Sequence, residues 1–416
     1  MREMKDSGIS WVGEIPKEWT IMPLYCFYSE RKNKNIFGAE NNLLSLSYGK
    51  VIRKDINTSE GLLPSNYNGY NIVEAGDIII RPTDLQNDKR SLRTGLSKER
   101  GIITSAYIAL KPKNGINSRF YHYLLHTYDI LKVFYNMGNG VRQGLNYDEF
   151  AKLMVYSPSD IEQQRIAEFL DRACGKIDGL KADIQAQIDT LEQYKRSVIT
   201  EAVTHGLNPS APMKDSGIPW VGQFPTHWTK KKGKYILRYM SKPVKQDDGV
   251  ITCFRDGEVT LRSNRREDGF TMADKEIGYQ GVDVGDLVVH GMDGFAGAIG
   301  ISDSRGKASP VLNVLNTKQN KKYIMYYLRS MAYGEVFTAL STGIRVRSCD
   351  LRWNKLAELL YPLPPIDEQN NIVNYIDEQI ARTNEIIADK KSQIETLDGY
   401  KKSLIYEYVT GKKEVG

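Results

Sequence analysis

Two long stretches of the chain, 160–205 and 366–410, carry apolar residues at steps of three and four positions. This spacing puts the apolar side chains on one face of a helix and is typical of coiled-coil packing. The first stripe is Ile166, Leu170, Ala173, Ile177, Leu180, Ile184, Leu191, Tyr194 and Val198, and the second is Ile376, Ile380, Ile387, Ile394 and Leu397. We predict two long helices that pair within the chain. Two independent surface helices are the alternative.

The regions before these helices show a different pattern. Short apolar runs bounded by glycine, proline and asparagine, such as 70–73, 78–80 and 102–110, are typical of short β-strands. We interpret the segments 118–135 and 321–337 as helices that pack on these strands. The pattern therefore predicts an α+β globule before each long helix.

An internal duplication organises the chain. MKDSGISWVGEIPKEW at 4–19 returns as MKDSGIPWVGQFPTHW at 213–228, and the two long helices match without a gap at a constant offset of 206 residues. Between these ends the halves scarcely align, apart from EAGDIII at 74–80 and DVGDLVV at 283–289. A repeat this long is a duplicated module and not a solenoid. We predict four segments: 1–159, 160–205, 206–365 and 366–416.

Length and composition suit a globular protein with more than one core. The 416 residues exceed the size of a single core, about 250–300 residues, and 41% hydrophobic residues argue against disorder. No apolar run reaches the ~18 residues of a membrane span, and the opening MREMKDSGIS lacks the apolar segment of a secretory signal. The four cysteines lie far apart, so we expect neither a disulfide framework nor a zinc site, and we predict a cytoplasmic protein.

The net charge of +6 is unevenly distributed. The helix at 160–205 has 6 basic and 9 acidic residues, and the helix at 366–410 has 5 and 9. Residues 1–159 have 21 basic against 16 acidic residues, and 206–365 have 23 against 16. Positive globules joined by acidic helices suggest that a polyanion contacts the globules and not the helices.

The sequence offers little for catalysis. Its glycine-rich stretch, GMDGFAGAIG at 291–300, lacks the glycine spacing of nucleotide-binding loops, so we interpret it as a turn between strands. His122 and His126 have helical spacing and could share a metal ion, but their aromatic neighbours favour packing. No tetrapeptide of the kind that amino-methyltransferases use, and no acidic nuclease cluster, stands out. We predict a non-catalytic chain.

Basic residues in polar turns are better candidates for function. The loops 139–150 and 342–353 each place arginine shortly after a glycine, which lets the backbone approach a groove where Arg or Gln can pair with base edges. For any one arginine, a solvated surface charge is an equally good interpretation. The candidate DNA contacts are Arg81, Arg90, Arg93, Lys98, Arg142, Gln143, Arg255, Arg305, Lys307, Arg345 and Arg347, beside Lys89 and Arg100.

In these features the chain resembles the specificity subunit of type I restriction–modification systems. The resemblance rests on SGIxWVGxxPxxW at the start of each half, the Gly-Asp-apolar block, the G[VI]R loop and the EQ pair that begins each long helix. It covers essentially the whole chain. A departure is Asn370 and Asn371 after the second EQ, where an apolar or basic residue is more usual.

The resemblance implies an α+β fold in which two target recognition domains each read one half of an asymmetric bipartite DNA site. It implies that the long helices pair antiparallel with pseudo-twofold symmetry, set the spacer and dock two methyltransferase subunits, with two motor–nuclease subunits completing the complex. AdoMet, ATP and Mg²⁺ are expected in those partners and no cofactor in this chain. The docking helices carry Ile166, Leu170, Ile177, Ile184, Leu191, Ile376, Ile380, Ile387, Ile394 and Leu397.

Two other functions stay open from the sequence. One is a catalytic subunit whose active site has no recognisable motif, and the other is a coiled-coil scaffold that does not bind DNA. We also expect apolar helix flanks, Ile199 with Val203 and Ile405 with Tyr408, to be exposed for partner subunits to cover.

Overall fold

The computed structural model describes residues 2–57, 66–83, 85, 92–137, 144–265, 276–340 and 351–415. The chain forms two compact units, one made of 1–184 with 392–416 and the other of 185–391. The boundary crosses both long helices, so each unit holds a globule with the first part of one helix and the last part of the other.

The first half consists of short strands followed by helices. The strands are β1 (Met4–Asp6), β2 (Glu14–Pro16), β3 (Thr20–Pro23), β4 (Tyr28–Glu30), β5 (Leu44–Ser47), β6 (Lys50–Arg53), β7 (Asn71–Val73), β8 (Ile78–Ile80), β9 (Thr94–Leu96), β10 (Gly101–Ile103), β11 (Ile108–Pro112) and β12 (Met154–Ser157). The helices are α1 (Ser118–Ile130), α2 (Tyr147–Phe150) and α3 (Asp160–His205).

The second half repeats this order. Its strands are β13 (Met213–Asp215), β14 (Gln223–Pro225), β15 (Thr229–Lys232), β16 (Leu237–Tyr239), β17 (Ile251–Cys253), β18 (Val259–Leu261), β19 (Gln280–Val282), β20 (Leu287–His290), β21 (Ile299–Ile301), β22 (Gly306–Ala308), β23 (Leu312–Thr317) and β24 (Leu360–Leu363). Its helices are α4 (Lys321–Tyr333), α5 (Val336–Ala339), α6 (Trp353–Glu358) and α7 (Ile366–Val409).

The two globules share one topology although their interiors hardly align in sequence. The first unit has an antiparallel sheet in the order β4-β11-β8-β9, and the second has β16-β23-β20-β21. The same correspondence holds for the two-stranded ribbons, for example β3 with β12 and β15 with β24. The predicted α+β fold with an internal duplication is confirmed.

The repeated motif that opens each half attaches the long helices to the globule. In the first unit Trp19 is fully buried, and its Nε1 donates a hydrogen bond of 2.9 Å to Glu162 at the start of α3. In the second unit Trp228 donates likewise to Glu368 at the start of α7, at 3.0 Å. The tryptophan and the EQ pair are thus partners in a framework contact.

The same tryptophans also contact the glycine at the end of the other long helix. Gly206 and Gly411 have φ near +76° and +70°, where a side chain would be strained. A Cβ on Gly206 would lie 3.1 Å from the ring of Trp228, and one on Gly411 3.0 Å from the ring of Trp19. Each unit therefore fixes the first turn of one long helix beside the last turn of the other.

This arrangement makes the helices antiparallel within each unit. In the first unit Lys401 Nζ is 2.6 Å from Asp178, and Lys181, three residues further along α3, pairs with Asp398, three residues back along α7. In the second unit Lys195 donates to Asn384 at 2.8 Å, and Lys390 donates to Gln187 at 2.5 Å.

The apolar stripe of α3 differs in part from the predicted one. Leu180 and Tyr194 are about half exposed, at 53% and 47%, whereas Ile188 and Ile199 are buried. The next residues, Lys181 and Lys195, are the ones that bond across to α7. An α-helix has 3.6 residues per turn, whereas the three–four pattern repeats every 3.5 residues. Along the helix the pattern therefore turns away from the face that contacts α7, and the residue that faces α7 is the one after the predicted position.

Candidate nucleic-acid interface

The Gly-Asp block has a structural role in both units. Asp77 is fully buried, accepts the backbone N–H of Glu74 at 2.8 Å and binds the guanidinium of Arg31 at 2.9 Å. Asp286 accepts the backbone N–H of Asp283 at 2.8 Å and pairs with Lys242. Each carboxylate closes the turn before β8 or β20, and so fixes the strand that leads towards the candidate loops.

In the first unit two candidate loops start and end close together. The backbone N–H of Leu145 donates to the Pro82 carbonyl at 3.0 Å, and the N–H of Arg81 donates to the Arg93 carbonyl at 2.8 Å. The described residues that flank the segment with Lys89 and Arg90 therefore lie next to Leu145, which follows the loop 138–143. Arg90, Arg142 and Gln143, like Lys89, lie outside the described residues.

We call the described residues from which these loops begin and end the loop base. Arg93 is a buried residue of the loop base in the first unit. Its side chain has no exposed surface, its Nη1 donates to the Thr83 carbonyl, and its guanidinium lies 5.8 Å from the centre of the Tyr135 ring. Asp129 accepts the backbone N–H of Arg93 and the hydroxyl of Tyr135, and burial raises the pKa of its carboxyl. The prediction that Arg93 contacts DNA directly conflicts with this burial, because a phosphate cannot reach the guanidinium.

The second unit closes its loop base differently. The backbone N–H of Leu351 donates to the Gly291 carbonyl at 2.8 Å, the counterpart of the Leu145–Pro82 bond. The buried Asn313 donates from Nδ2 to the carbonyls of Val289 and Leu351, at 3.1 and 3.0 Å. Arg345 and Arg347, in the loop 341–350, lie outside the described residues.

His290 completes this base as a hydrogen-bond acceptor. Its Nδ1 accepts the backbone N–H groups of Met292 and Asp293 at 3.2 and 3.0 Å. Burial lowers the pKa of His290, which keeps the imidazole neutral and able to accept.

The two closing bonds correct the alignment of the loops. Leu145 corresponds to Leu351, because each closes its loop on the strand that follows the Gly-Asp block. The alignment of 139–150 with 342–353 pairs Leu145 with Ser348, three residues out of register. If the glycines at 140 and 343 correspond, the second loop is three residues longer before its closing leucine.

The remaining candidates in the first unit lie at or near the surface. Arg81 is half-buried at the end of β8, and Lys98 is exposed. Arg100 is exposed and bound to acidic side chains, at 3.0 Å from Glu40 and 2.6 Å from Glu74.

The remaining candidates in the second unit are also held by ion pairs. Arg255 is 2.9 Å from Asp293, and Lys307 is 2.7 Å from Glu276. Arg305 binds Asp248 with two nitrogens, at 3.0 and 2.7 Å, and lowers the pKa of that carboxyl to about 2. Of these three, the side chain of Arg255 is the most exposed, at 60%.

The apolar stripes of the long helices lie mostly inside the units. Ile166, Leu170, Ile177, Ile376 and Ile387 are buried, and five others are half-buried: Ile184, Leu191, Ile380, Ile394 and Leu397. A partner subunit that docks on these helices must use their other faces.

The expected exposed helix flanks are also covered. Ile199, Val203 and Ile405 are at most 3% exposed, and Tyr408 is half-buried against the first core. The expectation was wrong because these positions pack on the globule that contains the opening motif, a contact that the helix sequence alone does not reveal.

His122 and His126 are placed for packing. Burial lowers the pKa of His122 to about 3 and that of His126 to about 4, and their ring centres are 6.0 Å apart. Among the described residues, no three His, Cys, Asp or Glu side chains come together as metal ligands. No helix in the described ranges combines the length and apolar content that a membrane span needs.

Comparison with known proteins shows what the chain is similar to. The profile of the type I restriction modification DNA specificity domain matches residues 30–190. A putative type I restriction enzyme specificity subunit, MjaX of Methanocaldococcus jannaschii, is 22% identical over 97% of this chain and 96% of its own length. The chain is therefore similar to type I restriction–modification specificity subunits, and residues 30–190 match their DNA specificity domain.

One solved structure in particular resembles this fold. A chain from a structure described as showing complex assembly and conformational transition of the type I R-M system has a TM-score of 0.64 at 13% identity, covering 96% of this chain and 99% of its own. The HsdS subunit of Thermoanaerobacter tengcongensis, at 12% identity, has a TM-score of 0.45 and covers 96% of this chain and 98% of its own.

Proposed function

We propose that this chain is a specificity subunit of a type I restriction–modification system and recognises an asymmetric bipartite DNA site, with each globule reading one half. The observation that carries the proposal is that both globules fix the residue after the loop, Leu145 or Leu351, at the same place on the same topology, yet use different side chains around it. Equivalent placement suits two half-sites on one duplex. Different loop bases suit different base sequences.

The charge distribution supports nucleic acid as the ligand. The globules at 1–159 and 206–365 have net charges of +5 and +7, whereas the long helices have a combined charge of −7. Contacts with DNA phosphates supply most of the affinity of such an interface, and base contacts supply the specificity.

The long helices are proposed to set the spacing between the half-sites and to dock two methyltransferase subunits. In that assembly the partner subunits bring AdoMet and methylate adenine, and two motor–nuclease subunits use ATP and Mg²⁺. This chain itself carries no cofactor in the proposal. Because the apolar stripes are turned inward, the docking faces are the polar and acidic ones.

Selection from a pool of random duplexes tests this function. The full chain, in complex with its modification subunits, should enrich two short sequences at a constant distance with unselected bases between them. Its affinity for unrelated duplex should fall as salt rises, because phosphate contacts release counterions. Enrichment of a single continuous sequence, or affinity that does not depend on salt, would contradict the proposal.

A further inference from the structure

A cleft of about 800 Å³ lies in the second unit, where the helix pair meets the globule. Its walls come from α3, α4, α5, α7 and the turns that follow β17 and β20. This volume is within the range of ligand sites in proteins. Four of the lining side chains are cations: Lys195, Arg196, Arg255 and Arg329.

Two of these cations face the same aromatic ring. The guanidinium carbon of Arg196 is 5.3 Å from the centre of the Tyr333 ring, and that of Arg329 is 5.8 Å from it. The ring attracts each cation, but the two guanidinium groups repel each other. A bound anion would offset part of the positive charge that these side chains bring to the cleft.

Arg329 is held in position before any ligand binds. Its Nε donates to the Tyr333 hydroxyl at 2.9 Å, and its Nη2 donates to the Asp256 carbonyl at 2.7 Å. Gly257 has φ near +93°, and a Cβ there would lie 2.3 Å from Nη1 of Arg329. The turn therefore needs a glycine both for its backbone and for the approach of the guanidinium.

Arg196 supplies the open donors. Its side chain is exposed, and within the described ranges its guanidinium has only the ring of Tyr333 as a partner. A guanidinium has five N–H donors in a planar fork that fits a phosphate. Three acidic side chains line the cleft, Glu192, Asp256 and Glu335. Two of them are already paired: Glu192 with Lys195 at 2.8 Å, and Asp256 with Arg265 at 2.6 Å.

We propose that this cleft binds a phosphate group through Arg196 and Arg329. The phosphate can come from a DNA backbone or from the polyphosphate chain of a nucleotide. The position favours DNA, because Thr338 of α5 lines the cleft and α5 leads into the loop 341–350. The DNA source rests on the proposed function, and it would bring the acidic helix α3 into contact with DNA.

The internal duplication provides a control site in the first unit. Lys402 of α7 occupies the position of Arg196 at the helix offset of 206 residues. The partners differ, since α1 and α4 match over 13 residues and place His126 and Ile130 where the second unit has Arg329 and Tyr333. A single cation without the ring and the second guanidinium should bind phosphate weakly.

The test measures two ligands with three variants of the full chain: Arg196→Gln, Arg196→Lys and Lys402→Gln. Anisotropy of a labelled duplex without a recognition site gives the slope of log affinity against log salt. Equilibrium dialysis with radiolabelled ATP measures binding of a free polyphosphate. We expect Arg196→Gln to lower the salt slope by about 0.9, the value for one phosphate contact, and to weaken duplex binding several-fold. Arg196→Lys should keep most of the slope, and Lys402→Gln should leave it unchanged.

The possible results distinguish a DNA phosphate from a nucleotide phosphate, and both of these from a cleft that binds no phosphate. If Arg196→Gln abolishes ATP binding and leaves the duplex slope unchanged, the cleft binds a nucleotide. If the wild type binds no duplex at any salt, the proposed function fails, and the ATP measurement alone decides on the cleft. If Arg196→Gln changes neither ligand, or Lys402→Gln changes the duplex slope equally, the cleft is not a phosphate site.

Discussion

The two globules have the same strand order, but they fix their loop bases by different chemistry. The first buries a charged network in which Arg93, Asp129 and Tyr135 lie behind the loop, and the second uses a neutral amide, Asn313, that joins two carbonyls. By contrast, the tryptophan–glutamate contacts that attach the long helices are the same in both units. Duplication has kept what holds the helices and changed what holds the loops.

The connection after the equivalent strands also differs. Between β8 and β9 the chain runs from residue 81 to 93, whereas between β20 and β21 it runs only from 291 to 298. Lys89 and Arg90 lie in the longer connection. The first unit thus has more polar chain in this connection, and under the proposed function the two half-sites should differ in sequence.

We expect the largest loss of stability from substitutions of the buried tryptophans, whose contacts are the same in both units. Trp19→Ala and Trp228→Ala each empty a buried ring site, which should lower the free energy of unfolding by about 3–5 kcal/mol. Hydrogen exchange, measured segment by segment, should show the loss mainly in the unit that carries the substitution. Trp→Phe at either site keeps most of the packing and should cost much less; similar losses from Phe and Ala would contradict the packing explanation.

The next prediction concerns the loop base of the first unit, where it differs from that of the second. Arg93→Leu removes the bond to the Thr83 carbonyl and leaves a poorly filled polar site, which should cost about 2–4 kcal/mol of stability. It should also abolish selection of the first half-site while leaving the salt slope of duplex binding unchanged, because a buried guanidinium contacts no phosphate. Pool selection and salt titration measure both.

Its controls come from the same chain. Arg100→Leu removes an exposed arginine and should leave the first half-site readable. Asn313→Ala should weaken selection of the second half-site only, whereas Asn316→Ala on the same strand should not. A fall in the salt slope of Arg93→Leu by about one contact would show that Arg93 binds phosphate after all.

A smaller and more local effect is expected from the loop arginines. Arg142→Ala should relax the first half-site, and Arg345→Ala or Arg347→Ala the second, each at about 1–3 kcal/mol of discrimination per lost base contact. Binding to duplexes with single changed base pairs measures this. If a variant weakens binding to every duplex equally, that arginine contacts phosphate instead.

The last prediction concerns acid. Burial lowers the pKa of His122 to about 3 and that of His126 to about 4, so below the ordinary value near 6.5 the unfolded chain binds more protons than the native one. The neutral histidines therefore contribute to the stability of the first unit, and this contribution is fully present only above about pH 6.5. The first unit should lose it as the pH falls from about 6.5 towards 4.

The second unit has Met325 and Arg329 at these positions and lacks this contribution. Hydrogen exchange at pH 7 and pH 5 should show the loss near α1 and not near α4. The double variant His122→Phe, His126→Leu should remove the difference, and an equal loss in both units would contradict it.

The sequence predicted the elements whose signal lies in local periodicity or in the repeat. The long helices and the duplicated framework were visible because apolar spacing and matching motifs are properties of the chain itself. The face of α3 that contacts α7 was predicted less well. Leu180 and Lys181 are neighbours on α3, and only the position of α7 decides which of them faces α7.

The loop bases could not be predicted for a different reason. The burial of Arg93 depends on Asp129 and Tyr135, which are more than thirty residues away in sequence. A run of basic residues between turn formers, by contrast, indicates a surface. The covered flanks Ile199 and Ile405 likewise depend on contacts with globules formed elsewhere in the chain. The role of Asn313 could have been suspected from the sequence, because a polar residue within an apolar strand is unusual and usually has a hydrogen-bonding role.

The most direct test of the central claim is a map of methylated adenines in the host genome. Two globules of one topology with different loop bases predict a bipartite sequence whose halves differ, separated by a constant number of unselected bases. The same map in a strain that carries Arg345→Ala should keep the first half and relax the second. A perfect palindrome in the wild type, or loss of both halves together in the variant, would contradict independent reading by the two units.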